Sequence, residues 1–305
     1  MSTTVLVIGG SGFIGSKVVE ELMKNGIETI CCDIVTSHLA GEKLKLVRAD
    51  ILELSSIERI FFEYGVDTVV HLVGLPAIDY CEKNPQFSFL LNTLSVQNTL
   101  EAMRKADVKK IVFASSAAVY GYYSTIPVKE NGLVSPTTIY GYHKLVAEYL
   151  IKSYYQSYGL NYVILRLFNV YGGLPETGKD VISIFIKKAS QGLPITVNGP
   201  NKFRDFIHVN DVTNVFVEAA LKNISNLTIN IGTGKGTTLK EVASMIKNCF
   251  PNVDVEYKVP PDDGTGIIAD VTLAKEVLDF LPVDPKKGIY DHIKLYATRS
   301  VMGKV

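Results

Sequence analysis

Tyr140 and Lys144 are the residues of this chain whose types and spacing most clearly suggest chemistry. A free tyrosine has a pKa of about 10 and is a weak base at neutral pH, although a cation beside it favours the phenolate. Because residues four apart share one face of a helix, Lys144 would lie next to Tyr140. We predict that Tyr140 is a general base for an alcohol. By itself, Tyr-x-x-x-Lys is a weak pattern that an ordinary amphipathic helix also shows.

Ser116 could complete this site. It follows closely on the apolar run 111–114, which is typical of a buried strand. A residue at the carboxyl end of such a strand lies where open α/β sheets bind their ligands. A hydroxyl at that place could hydrogen-bond the reacting oxygen and polarise a developing carbonyl. Ser116, Tyr140 and Lys144 together predict the interconversion of an alcohol and a ketone.

The start of the chain predicts an element that holds a phosphate-bearing cofactor. The apolar run 5–8 is followed at once by Gly9-Gly10-Ser11-Gly12-Phe13-Ile14-Gly15, after which a helical pattern begins. Strand, glycine turn and helix make the first half of a βαβ unit. The glycines let the backbone approach a pyrophosphate, and the helix N-terminus stabilises its charge.

Asp33 indicates which nicotinamide cofactor is bound. It ends the next apolar run, 18 residues after Gly15, about where a carboxylate binds the adenosine ribose hydroxyls. Residues 34–38, which follow it, contain no arginine that could pair with a 2′-phosphate. We therefore predict NAD rather than NADP.

Apolar, strand-like runs alternate with helical segments through the first half of the chain. The runs lie at 28–32, 45–49, 68–72, 111–115 and 162–165, and the stretch 86–105 has helical length. Ser55-x-x-Glu58 is a capping-box pattern that would start the helix after 45–49. The alternation is typical of an α/β fold with a doubly wound parallel sheet. From Tyr171 onward it breaks into a loop-like segment and a helix predicted over 182–190.

The composition excludes several other classes of protein. The 305 residues hold 31 Lys and Arg against 31 Asp and Glu, so no net charge attracts nucleic acid or an anionic membrane. There is no apolar run of membrane-spanning length and no basic-then-apolar leader. The four cysteines lack the paired spacing of a zinc site, so we expect buried thiols and no metal. A cytoplasmic protein fits these observations best.

Several motifs follow one another along almost the whole chain. They are Gly9-x-x-Gly12-x-x-Gly15, Asp33, Ala49-Asp50-Ile51, His71-Leu72-Val73-Gly74, Asn92, Ser116-Ala117-Ala118-Val119-Tyr120-Gly121, Tyr140-x-x-x-Lys144, Arg166-Leu167-Phe168-Asn169-Val170-Tyr171-Gly172 and Arg204-Asp205-Phe206-Ile207-His208-Val209. In this order they resemble the extended short-chain dehydrogenase/reductase superfamily, and within it the NAD-dependent epimerase/dehydratase family. The resemblance implies a Rossmann domain for NAD at 1–171, completed by about 205–232. It also implies a smaller α/β substrate-binding cap at 172–204 and 233–305.

The resemblance implies roles for single residues as well. Lys144 would bind the nicotinamide ribose in addition to acting on Tyr140. For Asp50 and Asn92, a purely structural role is an equal alternative, and Arg166 and His208 are expected to be structural. The cofactor-binding residues would be Gly9, Gly12, Phe13, Ile14, Gly15, Asp33, Asp50, Ile51, Leu72, Val73, Gly74, Asn92, Tyr140, Lys144 and Phe168, and the substrate would be contacted by Ser116, Asn169, Val181 and Arg204.

The reaction that the resemblance implies takes place at C4 of a nucleotide sugar. Tyr140 would take the hydroxyl proton, NAD would take the hydride, and the 4-keto sugar would be reduced on its other face. Dehydratases of the family carry an Asp-Glu pair where this chain has Ala117 and Ala118. We therefore expect an epimerase, most similar to the UDP-glucose/UDP-galactose 4-epimerases. A dehydrogenase or ketoreductase on the same fold, and a non-catalytic NAD-binding protein, are the alternatives.

Two further expectations concern the substrate and the assembly. Pro260 and Pro261 stand where the family has a second diphosphate-binding arginine, so Arg204 would be the main cation and the sugar and the base stay open. The resemblance also implies a homodimer through the Asn92 and Tyr140 helices. Both carry apolar residues on more than one face, among them Phe89, Leu90, Leu94, Leu145, Leu150 and Ile151.

Overall fold

A computed structural model describes residues 3–35, 38–121, 126–174, 178 and 180–301, with the backbone alone for 299–301. Its strands are β1 Thr4–Ile8, β2 Glu28–Asp33, β3 Leu44–Arg48, β4 Thr68–His71, β5 Lys110–Ser116, β6 Asn161–Leu167, β7 Asn169–Tyr171, β8 Ile195–Asn198, β9 Phe203–His208, β10 Leu227–Ile231, β11 Gly236–Thr238, β12 Val255–Lys258 and β13 Gly266–Ile267. Its helices are α1 Phe13–Lys24, α2 Leu54–Tyr64, α3 Ile78–Lys83, α4 Pro85–Phe89, α5 Ser95–Lys105, α6 Ile139–Tyr158, α7 Val181–Ser190, α8 Val209–Leu221, α9 Leu239–Cys249, α10 Thr272–Leu278 and α11 Pro285–Val301.

Seven parallel strands form the central sheet in the order β3-β2-β1-β4-β5-β6-β10. The strand order reverses between β1 and β4, because the chain first moves outward to β3 and then returns to the other side of β1. At such a switch point the loops after neighbouring strands diverge and leave a crevice at the carboxyl edge of the sheet. The predicted doubly wound α/β fold is confirmed.

Apolar side chains cover both faces of this sheet. Val5 and Val7 of β1 point into one core, and Leu6 and Ile8 point into the other, as alternation along a strand requires. α1 and α8 pack over the first face, and α2, α5 and α6 pack over the second. All four of these β1 side chains are buried, which explains why the strand reads as a continuous apolar run.

A third core lies among the elements of the predicted cap. It joins α7, α9 and α11 to β8, which pairs with β12 in a small parallel sheet. β9 pairs with β7, β11 and β13 in another small sheet, and Phe206 of β9 packs into this third core. β9, most of which the resemblance places in the large domain, therefore also packs into this third core.

Two local expectations need correction. α2 begins at Leu54 with Glu53 as its N-cap residue, so the capping box expected at Ser55 is wrong. A capping box is formed instead at α9, where Thr238 accepts from the Glu241 nitrogen and the Glu241 carboxylate accepts from the Thr238 nitrogen. The single helix expected over 86–105 is interrupted, because α4 and α5 are joined by a π-helical turn over Leu90–Leu94.

Candidate active site

The glycine loop joins β1 to α1 and has no room for a side chain at two positions. Gly9 has a φ of +84°, and a Cβ there would lie 2.9 Å from the Val73 nitrogen. A Cβ on Gly15 would lie 2.1 Å from the Gly9 carbonyl oxygen. α1 follows Gly12 without a side-chain cap and without an acidic residue in its first turn. Its first N–H groups and its dipole therefore favour an anion, and the loop fits the pyrophosphate of NAD.

The Asp33 carboxylate lies beside this loop at the end of β2. Its Oδ2 accepts a hydrogen bond from the Ser11 nitrogen (3.0 Å), and its Oδ1 accepts one from the Val35 nitrogen (3.2 Å). The two bonds fix the carboxylate at the carboxyl edge of the sheet, next to the pyrophosphate loop. A carboxylate held in this place can accept from the adenosine ribose hydroxyls and would repel a 2′-phosphate.

The loop after β4 connects the glycine loop to α6. The Leu72 nitrogen donates to the Ile8 carbonyl (2.9 Å), so β4 remains paired with β1 to its end. Gly74 then passes between two side chains, since a Cβ there would lie 3.0 Å from both Asn92 Oδ1 and Lys144 Nζ. The backbone at Gly74 is therefore in direct contact with the candidate catalytic lysine.

Ser116 and Tyr140 come together as predicted. Ser116 ends β5, and Tyr140 lies in the first turn of α6, which Thr138 caps by accepting from the Gly141 nitrogen (3.1 Å). A Cβ on Gly141 would lie 2.5 Å from the Ala118 carbonyl oxygen, so only glycine lets α6 approach the end of β5 this closely. Burial raises the pKa of Tyr140 to about 12, and the hydrogen bond with Ser116 offsets part of that rise.

Lys144 is buried one turn further along α6. Its Nζ donates to the Ala114 carbonyl (2.9 Å) and lies 4.8 Å from the centre of the Phe113 ring. Burial lowers the pKa of Lys144 to about 8, and the nearby Glu148 carboxylate opposes this. We expected Lys144 to lower the pKa of Tyr140, but in this structure that pKa is raised. Burial of the hydroxyl outweighs the other influences on it.

Asn92 holds the loop after β4 in place. It is fully buried within the π-helical turn; its Oδ1 accepts from the Leu75 nitrogen (2.9 Å), and its Nδ2 donates to the Leu75 carbonyl (3.3 Å) and to Ser88 Oγ (3.2 Å). These bonds give Asn92 a structural role, and its contact with the cofactor stays a prediction. π-helical turns occur frequently at functional sites.

The other predicted ligand residues differ in what surrounds them. Asp50 is exposed and its Oδ1 closes a turn with the Leu52 nitrogen (2.9 Å), while Ile51 is buried in the core. Phe168 is also buried, and its nitrogen donates to the Ile231 carbonyl (2.9 Å). Asn169 is exposed at the start of β7, and Val181 is the first residue of α7. Contact of these residues with a ligand stays a prediction.

Glu148 and Arg166 form a buried ion pair beneath the site. The sequence predicts a structural role for Arg166 but does not identify Glu148 as its partner. Arg166 Nε lies 2.9 Å from Oε1 of Glu148, and Nη2 lies 2.7 Å from Oε2. Glu148 also accepts from Ser115 Oγ (2.5 Å), and Arg166 Nη1 donates to the Tyr120 hydroxyl (2.9 Å). The expected structural role of Arg166 is confirmed. The pair connects α6 to β5 and β6, and so helps to place Lys144.

Arg204 lies in β9 close to an acidic turn. Lys202 Nζ is 2.6 Å from Asp262 Oδ2, and this contact, together with the charge of Arg204, lowers the pKa of Asp262. Asp263 accepts from the nitrogen (2.9 Å) and Nδ2 (2.7 Å) of Asn201. Both carboxylates that follow Pro261 are therefore bonded to the turn before β9.

Asp205, next to Arg204, is a structural residue that sequence reasoning missed. Its buried carboxylate accepts from the nitrogen (2.6 Å) and Oγ1 (2.7 Å) of Thr233, the Gly234 nitrogen (3.0 Å) and the Ala269 nitrogen (3.1 Å). It thus ties β9 to the loop after β10. His208 Nδ1 accepts from the Asn210 nitrogen (3.2 Å) and caps α8, which confirms its expected structural role.

Neither a metal cluster nor a membrane span is apparent in the parts of the chain that the structure describes. In those parts no group of three His, Cys, Asp or Glu residues is arranged to hold a metal ion. No helix there has both the length and the apolar character to cross a bilayer.

The profile of the NAD-dependent epimerase/dehydratase family matches residues 5–232, which is most of the chain. The chain belongs to this family. A Methanocaldococcus jannaschii protein that carries the provisional name UDP-glucose 4-epimerase is 40% identical over 295 residues, with 93% of this chain and 95% of that protein covered. The family resemblance and the dependence on NAD are thereby confirmed.

Solved structures of this family superpose over nearly the full length. The UDP-glucose 4-epimerase of Thermotoga maritima, solved with UDP-glucose, has a TM-score of 0.89 and 30% identity, and the match covers 98% of this chain and 100% of that one. The UDP-glucose 4-epimerase of Thermus thermophilus, solved with NAD, has a TM-score of 0.85 and 29% identity, with 96% and 99% covered. The likeness therefore extends beyond the central sheet to the elements of the predicted cap.

Proposed function

We propose that this chain is an NAD-dependent UDP-hexose 4-epimerase that interconverts UDP-glucose and UDP-galactose. The observation that carries the proposal is the proximity of Ser116 to Tyr140, with Lys144 one turn away, at the carboxyl edge where the glycine loop and Asp33 also lie. An alcohol carbon held at this edge would have a base and a hydrogen-bond donor on one side. UDP-glucose 4-epimerases are among the relatives that match nearly the whole chain.

Tyr140, Ser116 and Lys144 each have a definable task in the reaction. Tyr140 removes the proton of the C4 hydroxyl and returns it after the sugar has turned. Ser116 donates a hydrogen bond to the same oxygen and stabilises the carbonyl that develops there. Lys144 keeps a positive charge close to the end of β5, where it also meets the backbone of Gly74. NAD held by the glycine loop and Asp33 would supply a reversible hydride acceptor and the positive charge of its nicotinamide.

The raised pKa of Tyr140 is consistent with these tasks. A phenol whose pKa is about 12 is almost entirely protonated at neutral pH, so the protein without cofactor does not hold a phenolate. A cation placed next to the hydroxyl favours the phenolate by direct Coulomb attraction. The base would thus become active only once the cofactor is bound, which ties proton removal to hydride transfer.

The residues after Ser116 argue against dehydration. Removal of a C5 proton and protonation of a leaving hydroxyl require a positioned acid and base. Ala117 and Ala118 form a 3₁₀ turn directly after Ser116 and carry no ionisable group. We therefore place the chemistry at C4 alone.

For the substrate, we infer that Arg204 binds the diphosphate. A guanidinium fork matches phosphate geometry, and in the turn that holds Pro260 and Pro261 the acids outnumber the bases. Lys202 is the second cation of this region, although here it is paired with Asp262.

We also infer a homodimer through α6. Tyr142, Val146 and Tyr149 share one face of α6 and are 53%, 41% and 57% exposed. Phe87 and Phe89, on the neighbouring α4, are exposed as well. The expectation that Ile151 belongs to a second apolar face is wrong, because Ile151 is fully buried in the sheet core. An exposed aromatic face of this kind suits a second copy of the chain.

The function is tested by incubating the purified protein with UDP-glucose and NAD and following the products by NMR. UDP-galactose should form, the same mixture should be reached from either sugar, and NADH should not accumulate at about 340 nm because the hydride returns to the sugar. Stoichiometric formation of NADH would identify a dehydrogenase. A protein that binds NAD but converts no nucleotide sugar would be the non-catalytic alternative.

A further inference from the structure

A chain of three side-chain hydrogen bonds lies beside the catalytic lysine. Nδ1 of His143 is 2.9 Å from Ser88 Oγ, and Ser88 Oγ accepts from Asn92 Nδ2 at 3.2 Å. The Asn92 amide in turn accepts from the Leu75 nitrogen at 2.9 Å. Ser88 and Asn92 are completely buried. His143, the residue before Lys144, is thus connected to the loop of Gly74 and Leu75, which also lies beside Lys144.

The direction of the bond between Ser88 and His143 is linked to the tautomer of His143. Asn92 Nδ2 can only donate, so Ser88 Oγ accepts from it. The Ser88 oxygen keeps its own proton and a second lone pair, so it can either donate to Nδ1 of His143 or accept from it. A neutral imidazole accepts at one nitrogen and donates at the other. With Ser88 as the donor, His143 carries its proton on Nε2.

We propose that His143 positions the loop beside the catalytic lysine through Ser88 and Asn92. The Asn92 amide bonds both the nitrogen and the carbonyl of Leu75, which leaves it one orientation. That orientation sets the place of Gly74, whose backbone touches Lys144. The role of His143 is indirect, because it acts on the loop and not on the substrate. The catalytic part of this inference rests on the proposed epimerase function.

The surroundings of His143 keep its ring neutral. Burial lowers the pKa of His143, and the Glu82 carboxylate of α3 opposes this. From α4, the Phe89 ring packs edge-on at 5.5 Å, and Ser88 contributes its hydroxyl. Among the described residues, the Glu82 carboxylate is the charged group that raises the pKa of His143. Lys144 is the residue after His143 on α6. Protonation of Nδ1 would take away the acceptor of the Ser88 proton and break the chain at its end.

The tautomer can be measured without any substrate. Nitrogen NMR on protein labelled at its five histidines should show a neutral ring with the proton on Nε2, and the signal that disappears in His143→Asn identifies it. A ring that carries its proton on Nδ1 near neutral pH would overturn the proposal. This result does not depend on which reaction the enzyme catalyses.

Variants then test the effect on the site. In His143→Asn the side-chain oxygen takes the place of Nδ1 and cannot titrate, whereas His143→Leu keeps the bulk and loses the acceptor. We expect His143→Leu and Ser88→Ala each to lower NAD affinity or kcat/KM roughly tenfold, as for a buried donor that loses its partner. His143→Asn should keep NAD affinity and kcat/KM near the wild-type values. Its pH profile should lose the acidic limb that His143 contributes.

Thr99→Val is the matched control, because Thr99 is a buried hydroxyl on α5 that bonds the Ser95 carbonyl (2.8 Å) outside this chain. It should leave NAD affinity and the pH profile unchanged. NAD affinity is measured by calorimetry on cofactor-stripped protein, so the proposal is tested even if UDP-glucose is not the substrate. Equal affinity and turnover in the wild type and His143→Leu would refute it, as would a His143→Asn variant as impaired as His143→Leu.

Discussion

Lys144 illustrates the conflict between function and stability for a single residue. Its pKa is lowered from 10.5 to about 8, because the folded protein buries its ammonium. The unfolded chain therefore binds more protons between these two pH values. Stability should rise as pH increases through this window, and the penalty is fully present below about pH 8.

Lys144→Met should remove that penalty while abolishing catalysis. We expect the free energy of unfolding of the NAD-free protein at pH 7 to increase by roughly 1–3 kcal/mol, from the size of the pKa shift. The stability of the variant should also lose the rise above pH 8. Denaturant titrations at several pH values measure both effects, and a variant that is less stable than the wild type at pH 7 would contradict the assigned burial penalty.

Patterns of residue type identified the reacting groups but not their supports. Ser116, Tyr140 and Asp33 lie at strand ends or in a first helical turn, and such places follow from local sequence signals. Glu148 and Asn92 depend on partners about 20 residues away, Arg166 and Leu75, whose proximity only the folded sheet provides. A single sequence contains no local signal for such pairs.

At the scale of elements, Glu148 is the contact that fixes α6 on the sheet. Glu148→Gln keeps the shape of the side chain but leaves the Arg166 guanidinium buried without its counter-charge. We expect a loss of about 3–5 kcal/mol, as when one partner of a buried pair is removed. The pKa of Lys144 should fall further, because the carboxylate that raises it is gone.

Glu58→Gln is the control for this variant, because Glu58 pairs with Lys105 at the surface. It should cost less than about 1 kcal/mol. Both variants are compared by urea denaturation in the same buffer. Similar losses for the two would mean that the pair of Glu148 and Arg166 does not anchor α6.

The glycine loop separates a requirement of folding from a requirement of binding. Gly15→Ala would place a methyl group 2.1 Å from the Gly9 carbonyl oxygen, so the loop or α1 must shift. The nearest contact for Gly12→Ala is 3.2 Å, which the fold can absorb. Gly15→Ala should lower the melting temperature of the NAD-free protein, and Gly12→Ala should mainly lower NAD affinity. Equal melting temperatures for the two variants would show that this close packing does not limit the fold.

The secondary structure could be predicted where the hydrophobic periodicity is strong. The prediction was wrong where local signals compete. The central strands and α1 follow from continuous apolar runs and the glycine turn. At α2 the pattern at Ser55 resembled a capping box, yet the N-cap residue is Glu53, two residues earlier. The π-helical turn around Asn92 could not be predicted from the sequence, where the stretch resembles an ordinary apolar helix. The turn depends on the bonds that Asn92 makes to Leu75.

At the scale of the whole molecule, the exposed face of α6 predicts self-association. Light scattering at micromolar concentration should give the mass of a dimer, twice 33.5 kDa. Val146→Asp places a charge at the centre of the face and should produce monomers, because an unpaired charge in an apolar interface is costly.

Tyr257→Asp is the matched control for that variant, because Tyr257 is 46% exposed on β12, away from α6. It should remain a dimer. A monomeric wild type would exclude this interface, and a Val146→Asp protein that stays dimeric would place the contact elsewhere.

In the proposed reaction, the hydride leaves C4 and returns to it while Tyr140 carries the proton. This reaction is tested most directly with UDP-glucose that carries deuterium at C4, incubated with the enzyme and NAD in ordinary water. We expect UDP-galactose that retains its deuterium at C4, formed at a rate that falls at least ~10²-fold in Tyr140→Phe. Hydrogen from the solvent at C4 of the product, or a Tyr140→Phe enzyme with near-normal turnover, would contradict it.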